Sequence, residues 1–265
     1  MTRGRPPAAA ALAAVLLTSQ LAGAGVTSVA GDLRSASALT SAVAAKAPAP
    51  AVVERRVIGR SVRGRPIRAF RLGEPDSPVT AVAMAAMHGD EKAPMAILSA
   101  LRDGAPVRGV DLWVLPRVNP DGVLSSTRRN ARGVDLNRNF PQAWARSSGE
   151  VHSGPRPASE PETRALMQFL TDVDPQLVVS FHQPLHGIDV WGTKKRWFAR
   201  RLADELRLPR KEFSCGSGCH GTFTQWFNHH FDGVAVTVEY GRSPSRERMT
   251  VRAPRQLLRA VGGTR

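Results

Sequence analysis

The sequence contains few cysteines and no apolar run long enough to cross a membrane. Its two cysteines are Cys215 and Cys219, and two thiolates without further ligands nearby do not complete a metal site. In an exported protein such a close pair is expected to form one small disulfide, with free thiols as the alternative. The apolar run from Ala8 to Leu17 has ten residues, whereas a spanning helix needs about 20. We therefore predict no transmembrane segment and no cysteine-based metal site.

Acidic residues are also scarce. The chain carries 37 Lys and Arg residues against 22 Asp and Glu residues, a formal net charge of +15. A basic surface attracts anionic polymers such as the phosphates and carboxylates of a cell wall. A solvated basic surface without a specific partner is the default interpretation, and codon usage that favours Arg explains part of the charge. The basic residues are spread along the chain without a recognisable binding motif, so we predict no nucleic-acid partner.

The first 53 residues differ in composition from the rest. Residues 1–24 have the pattern of a secretory signal peptide, because Arg3 and Arg5 precede the apolar run and Ala22-Gly23-Ala24 fits a cleavage site. A disordered Ala-rich tail is the alternative. Residues 25–53 are rich in Ala, Ser, Thr and Pro and are predicted to form a disordered linker. Residues 54–265 are predicted to form one folded domain, either secreted or associated with the cell wall.

Apolar, β-branched runs predict four buried strands. They are Val79–Met84, Val110–Leu115, Leu177–Phe181 and Val234–Val238. Between them, helices are predicted from Pro94 to Gly104, after a capping box of Ser159 and Glu162, and from Trp197 to Leu206. Strands that alternate with helices indicate an open α/β sheet, in which functional residues lie in loops just beyond the strand ends.

Residues with metal-binding or acid–base chemistry occur in five short segments. The segments are His88-Gly89-Asp90-Glu91, Asn119-Pro120-Asp121-Gly122, Val134 to Phe140, Ser180-Phe181-His182 and Val238-Glu239-Tyr240. A catalytic zinc takes three imidazole or carboxylate ligands and leaves a fourth position open to water. One tight turn brings His88 and Glu91 to a single ion, and His182 is the candidate third ligand. Glu239 then remains unligated and available as a base.

These segments resemble those of the zinc metallocarboxypeptidase family. The resemblance runs from about Val57 to about Gly241. Two further segments, Arg128-Arg129-Asn130-Ala131 and Gly221 to Trp226, are most similar to one bacterial branch, the murein peptide amidases, which cut the γ-D-glutamyl–diaminopimelate bond of cell-wall peptides. The resemblance implies a single-domain α/β fold with a mixed, twisted sheet of about eight strands and helices on both faces.

The resemblance also implies which residues bind the metal and activate water. His88, Glu91 and His182 match the ligands of one zinc ion. Asp135 matches the acid that accepts a hydrogen bond from one liganding imidazole and so fixes its tautomer. Glu239 matches the general base, which takes a proton from the attacking water and passes it to the leaving amine.

Three further residues match positions that contact the substrate. Arg128 matches the arginine that stabilises the oxyanion, with Arg129 and Arg132 as close competitors. Asn137 and Arg138 match the pair that holds the terminal carboxylate of the substrate. A planar guanidinium binds a carboxylate through two hydrogen bonds, which is the recognition that an exopeptidase requires.

One feature of the family is missing. Many members place a mobile tyrosine over the substrate upstream of the base, but the single tyrosine of this chain is Tyr240, next to the base. The corresponding segment runs from Ser214 to His220. His220 is a candidate replacement as hydrogen-bond donor, and a surface histidine is the favoured alternative.

The sequence therefore predicts a monomeric, secreted zinc exopeptidase that hydrolyses an amide bond next to a free carboxylate, with cell-wall peptides as the expected substrate. A general carboxypeptidase of broad specificity is the alternative, because the floor of the specificity pocket is not identified. An inactive wall-binding homologue is a third possibility. The intact set of ligands, base and carboxylate-binding residues argues against it.

Overall fold

Eight strands of the described part of the chain form one mixed sheet. The computed structural model describes residues 51–191, 193–213 and 219–265. The strands are β1 (Val52–Arg60), β2 (Pro66–Gly73), β3 (Thr80–Ala85), β4 (Asp111–Leu115), β5 (Leu177–His182), β6 (Leu185–Asp189), β7 (Arg210–Lys211) and β8 (Val234–Gly241). Their order in the sheet is β1-β2-β4-β3-β5-β8-β6-β7. The predicted α/β class and mixed eight-stranded sheet are confirmed.

The four strands predicted from sequence are the parallel centre of the sheet. β4, β3, β5 and β8 pair in parallel, and nearly all of their residues are buried. A strand that is covered on both faces reads as a continuous apolar run, which explains why these segments are recognisable. β8 continues past the predicted end at Val238, so Glu239 lies within a strand and not in a loop after it.

The other four strands lie towards the two edges. β1 pairs antiparallel with β2, and β2 with β4. On the other side β6 is antiparallel to β8, and the two-residue strand β7 pairs with β6. Most positions in β1 are only partly buried or exposed, including Arg55 and Arg56. Short or half-exposed strands carry a weak hydrophobic pattern, so the sequence did not reveal them.

Helices cover both faces of the sheet, as predicted. They are α1 (Met95–Asp103), α2 (Pro120–Ser125), α3 (Pro161–Val173), α4 (Arg196–Leu206), α5 (Phe223–His230) and α6 (Ala253–Val261). α1, α4 and α6 pack on the face that carries Ala81, Ala83 and Ala85 of β3, whereas α3 and α5 pack on the face that carries Val82 and Met84. This division follows from the alternation of side chains along a strand.

The sequence predicted the start of α1 correctly but not the start of α3. α1 lies between Pro94 and Gly104 as expected. The predicted capping box of Ser159 and Glu162 is wrong, because α3 begins at Pro161 and has no side-chain cap. Ser159 instead accepts a hydrogen bond from Asn139, and Glu162 accepts one from the backbone of Val62.

The boundary between linker and domain lies slightly earlier than predicted. β1 begins at Val52, two residues before the predicted start at residue 54. The predicted signal peptide, nearly all of the predicted linker, and Cys215 lie outside the described residues. Cys219 is described and is disulfide-bonded. Within the described part of the chain, no helix is both long and apolar enough to span a membrane.

A capping box that the sequence analysis missed starts α5. The side chain of Thr222 accepts a hydrogen bond from the backbone N–H of Gln225, and the Gln225 side chain accepts one from the backbone N–H of Thr222. These contacts satisfy two backbone donors that have no partner within the helix. They hold the start of α5 in place.

Replacing Thr222 by Ala should therefore lower the free energy of unfolding by about 1 kcal/mol, the usual cost of losing an N-cap. Thr171→Ala is a matched control, because Thr171 is exposed near the end of α3 and bonds only the carbonyl of Met167. The control should change stability by less than about 0.5 kcal/mol. Urea denaturation of both variants measures the difference, and equal stabilities would contradict the capping assignment.

Candidate metal centre and active site

Three predicted metal ligands meet at one edge of the sheet. His88 follows β3, and Glu91 follows it after one turn in which the backbone N–H of Glu91 donates to the carbonyl of His88 (3.3 Å). His182 is the last residue of β5. Since β3 and β5 are parallel neighbours, their carboxyl ends lie at the same edge. One ligand atom from each residue lies within 4.8 Å of the others, and all three residues are buried.

The two imidazole rings present the same nitrogen to the centre of this cluster. His88 Nδ1 lies 2.7 Å from Oε1 of Glu91, His182 Nδ1 lies 2.8 Å from Oε2 of Glu91, and the two Nδ1 atoms are 3.3 Å apart. The outer Nε2 atoms contact Asp135 (3.0 Å) and Ser180 (3.0 Å). Outer contacts of this kind fix the orientation of metal-binding histidines. Two imidazoles and one carboxylate that converge in this way fit a catalytic zinc.

The charges of the cluster compensate one another. Burial of His88 favours the neutral ring, but the carboxylates of Asp135 and Glu91 outweigh burial and raise its pKa to about 9. Burial of Glu91 favours the protonated acid, but His182 and His88 outweigh it and lower its pKa to about 2. The ionised carboxylate is therefore strongly favoured. A divalent cation replaces protons at such a site, because metal binding requires neutral rings and an ionised acid.

The segment Asn119 to Gly122 shapes the loop that carries His88 and Glu91. The Asn119 side chain accepts from the backbone N–H of Gly122 (2.9 Å) and donates to the carbonyl of Met87 (3.3 Å). Gly89 packs directly on Gly122, so that a Cβ at Gly89 would lie 1.9 Å from the backbone carbon of Gly122. Only glycine at position 89 permits this approach. The motif thus has a structural role next to the metal ligands.

Glu239 lies beside the ligand cluster. It is directly opposite His182 in the parallel pair of β5 and β8. Its Oε2 accepts one hydrogen bond, from the backbone N–H of Leu185 (3.2 Å), and its side chain is nearly buried. Burial raises the pKa of the carboxyl, and this outweighs the opposite effect of His182. A carboxylate in such surroundings holds a proton more readily than one in water.

Arg128 extends along the ligand cluster and is anchored by Asp135. Its Nε and Nη2 donate to Oδ2 of Asp135 (3.0 and 2.8 Å), and its Nη1 lies 3.7 Å from Oε1 of Glu91. Burial alone would lower the pKa of the guanidinium, but Asp135 raises it above the ordinary value. Arg128 is thus a fixed cation whose remaining N–H groups face the cavity. Arg129 and Arg132, the competitors considered from sequence, pair instead with Glu150 and Glu160.

Asn137 and Arg138 lie on one turn of 3-10 helix that Asp135 caps. Oδ1 of Asn137 accepts from the backbone N–H of Phe223 (2.9 Å), which leaves its Nδ2 available as a donor. Arg138 donates through Nη1 to the carbonyl of Asn137 (2.7 Å). Its Nε is buried and has no hydrogen-bond partner among the described residues. Neighbouring donors without acceptors are suited to bind an anion.

Seven of the eight residues that the sequence assigned to the site line one cavity of about 540 Å³, and the eighth, Asp135, is fully buried. They are His88, Glu91, Arg128, Asn137, Arg138, His182 and Glu239. The cavity is also lined by residues that the sequence analysis did not assign to the site, among them Asp189, Thr224, Gln225, Asn228 and Thr237. No local sequence motif surrounds Asp189, so the sequence carried no signal for it. It is recognised as a cavity residue only because β6 pairs with β8.

Neither His220, the candidate replacement for the missing mobile tyrosine, nor Tyr240, which its position in the sequence already set aside, lines the cavity. His220 is exposed and is not among the residues that line the cavity. Tyr240 is 1% exposed, and its ring stacks on Phe181 with 6.0 Å between the centroids. A buried, stacked ring is held in place and is not free to close over a substrate.

The fold and the donor set together define a zinc-dependent hydrolase of the carboxypeptidase type. Residues 39–188 match the family model described as zinc carboxypeptidase, and the chain belongs to this family. The matched range includes all three candidate ligands.

Several similar proteins carry names that are narrower than the family description. Murein peptide amidase A of Escherichia coli strain K12 is 37% identical over 183 residues, which cover 63% of this chain and 74% of the relative. The protein of the same name from Vibrio campbellii is 34% identical and covers 68% of this chain and 77% of its own length. The crystal structure of murein-tripeptide amidase MpaA from E. coli O157 superposes with a TM-score of 0.63 at 32% identity, covering 76% of this chain and 88% of that chain. Carboxypeptidase A from Helicoverpa armigera has a TM-score of 0.66 at 18% identity, covers 80% of this chain and 69% of its own, and shares the fold.

Because Asp135 orients His88, removing its carboxylate should weaken zinc binding. We expect Asp135→Ala to lower zinc affinity about 10- to 100-fold, measured by titration against a chromophoric chelator. Asp111→Ala is a matched control, since Asp111 is an equally buried acid that pairs with Arg71 away from the cavity. The control should bind zinc as the wild type does. Equal affinities in the two variants would show that the contact between Asp135 and His88 does not support the metal.

Proposed function

We propose that this protein is a zinc-dependent exopeptidase that hydrolyses the amide bond next to a C-terminal carboxylate in murein peptides. One observation carries the proposal. Arg138 and Asn137, whose side chains have donors without acceptors, line the same cavity as the candidate metal ligands and Glu239. An anion held by these donors places the adjacent amide bond near the ligand cluster, which is the geometry of an exopeptidase.

The cavity residues divide the work of hydrolysis. Arg138 and Asn137 bind the terminal carboxylate and so align the scissile bond. Glu239 takes a proton from the attacking water and passes it to the leaving amine, and its partly desolvated position favours proton uptake. Arg128, held by Asp135, donates to the carbonyl oxygen as negative charge develops there. Zinc bound by His88, Glu91 and His182 would polarise the carbonyl and acidify the water.

Two lines of support favour a murein peptide as the substrate. The relatives from E. coli and V. campbellii are named murein peptide amidases, and the structural neighbour is a murein-tripeptide amidase. The net charge of +15 also favours encounters with anionic wall material. A general carboxypeptidase would share the catalytic residues but would accept ordinary α-linked termini.

We also propose that the protein is exported. The support is the basic start, the ten-residue apolar run and the Ala22-Gly23-Ala24 site in the sequence. N-terminal sequencing of protein recovered from the culture medium would test the location, and a chain retained in the cell with residues 1–24 intact would contradict it.

The substrate proposal predicts cleavage of L-alanyl-γ-D-glutamyl-diaminopimelate to release free diaminopimelate. A peptide of the same composition with an α linkage is the comparison substrate. Amidating the carboxylate next to the scissile bond should abolish most cleavage, because Arg138 and Asn137 lose their ligand. A strong chelator should stop hydrolysis, and added zinc should restore it. Cleavage of α-linked peptides alone, measured by chromatography of the products, would favour the general carboxypeptidase.

Glu239→Gln should retain zinc but lose about 10²- to 10⁴-fold in kcat, the usual contribution of a general base. The amide keeps an oxygen to accept the hydrogen bond of Leu185, so the strand pairing is preserved. Metal analysis and steady-state kinetics on the same preparation separate loss of metal from loss of proton transfer. A zinc-loaded variant with a near wild-type rate would remove Glu239 from the role of base.

A further inference from the structure

One acidic side chain in the catalytic cavity has no part in the chemistry described above. Asp189 is the last residue of β6 and lines the cavity together with Glu239 and Thr237. In the antiparallel pair of β6 and β8, Ile188 lies opposite Val238, which places Asp189 opposite Thr237. Thr237 and Glu239 are two residues apart and therefore project from the same face of β8. Asp189 thus lies on the same face of the sheet as Glu239, opposite the residue that precedes Glu239 by two positions on β8.

The carboxylate of Asp189 is held through one oxygen only. Its Oδ1 accepts from the backbone N–H groups of Trp191 (2.9 Å) and Phe213 (3.3 Å). Its Oδ2 has no hydrogen-bond partner in the ranges that the structure describes, and no Lys or Arg of those ranges forms an ion pair with it. The side chain is partly buried. The carboxylate is therefore fixed in orientation with one oxygen available to a ligand.

A purely structural role does not account for the charge. An Asn at this position would accept the same two backbone hydrogen bonds through its amide oxygen. Burial raises the pKa of Asp189, with Glu212 adding to the effect, so the charged form carries a desolvation cost at this site. A negative charge in a partly buried position is stabilised when a cation binds next to it.

We propose that Asp189 forms a subsite for an ammonium group on the side chain of the substrate residue whose carboxylate is bound by Asn137 and Arg138. This proposal rests on the proposed exopeptidase function and adds the chemistry of the residue that is released. Diaminopimelate and lysine both carry an ammonium group at or near the end of a linear side chain. Arg138 then binds the anionic group of the substrate residue, and Asp189 binds its cationic group. A terminal residue with both a carboxylate and a side-chain ammonium matches this pair.

The test compares three peptides that differ only in the last residue. They are L-alanyl-γ-D-glutamyl peptides that end in diaminopimelate, in L-lysine or in L-norleucine, which has the lysine chain length without the ammonium group. Wild-type protein should show a higher kcat/KM for the first two. Asp189→Asn should lower kcat/KM for both ammonium-bearing peptides at least about tenfold, mainly through KM, and leave the norleucine peptide within about threefold.

Asp204→Asn is the matched control. Asp204 is an exposed acid on α4, and this variant has the same net charge as Asp189→Asn. It should behave as the wild type with all three peptides. An equal loss by Asp189→Asn on all three peptides would mean a structural role, and no loss on any would mean no role in recognition. Either result overturns the proposal.

Different experimental results would contradict the proposed function and the proposed ammonium subsite. If the wild type cleaves none of the γ-linked peptides, the murein assignment fails, and the same comparison is made with α-linked peptides that end in lysine or norleucine. Selective loss of the lysine peptide in Asp189→Asn would then still support the subsite. Absence of any preference of the wild type for lysine over norleucine would overturn it.

Discussion

A single buried carboxylate joins the parts of the active site. Asp135 is 0% exposed, and its two oxygens accept hydrogen bonds from the ring of His88, the guanidinium of Arg128 and the backbone N–H of Asn137. Burial alone would raise its pKa, but His88 and Arg128 hold the pKa far below the usual range. The acid therefore stays ionised. The directions of a candidate metal ligand, of the arginine proposed to bind the oxyanion and of the turn proposed to bind the substrate carboxylate all depend on this one charge.

The parallel centre of the sheet supplies the rigidity that this arrangement needs. β3, β5 and β8 are neighbours whose carboxyl ends meet at one edge, and helices cover both faces. His182 and Glu239 face each other in register across β5 and β8. Their separation is set by backbone hydrogen bonds and not by flexible loops. Functional side chains on such elements keep their geometry better than side chains on loops.

The turn that carries Asn137 and Arg138 forms a second rigid unit together with α5. The ring of Phe140, just after the turn, lies 5.4 Å from that of Phe223 and 5.5 Å from that of Trp226. The backbone of Phe223 also donates to Asn137. A Cβ at Gly221 would lie 2.5 Å from the carbonyl oxygen of Arg138, so this junction requires glycine. The segment from Gly221 to Trp226 therefore connects Asn137 and Arg138 to the cavity wall on α5.

The sequence by itself determined the central strands and three of the helices, because apolar runs encode them locally. It also identified the seven residues that meet in the cavity, through short motifs that resemble those of one family. It did not determine the edge strands, whose patterns are weak, or the start of α3, where Pro161 begins the helix and Ser159 bonds Asn139 instead of capping it. Only the tertiary structure placed Asp189 on the same face of the sheet as Glu239. That neighbourhood exists once β6 pairs with β8, and the pairing of two strands that are far apart in the sequence is not encoded in either segment alone.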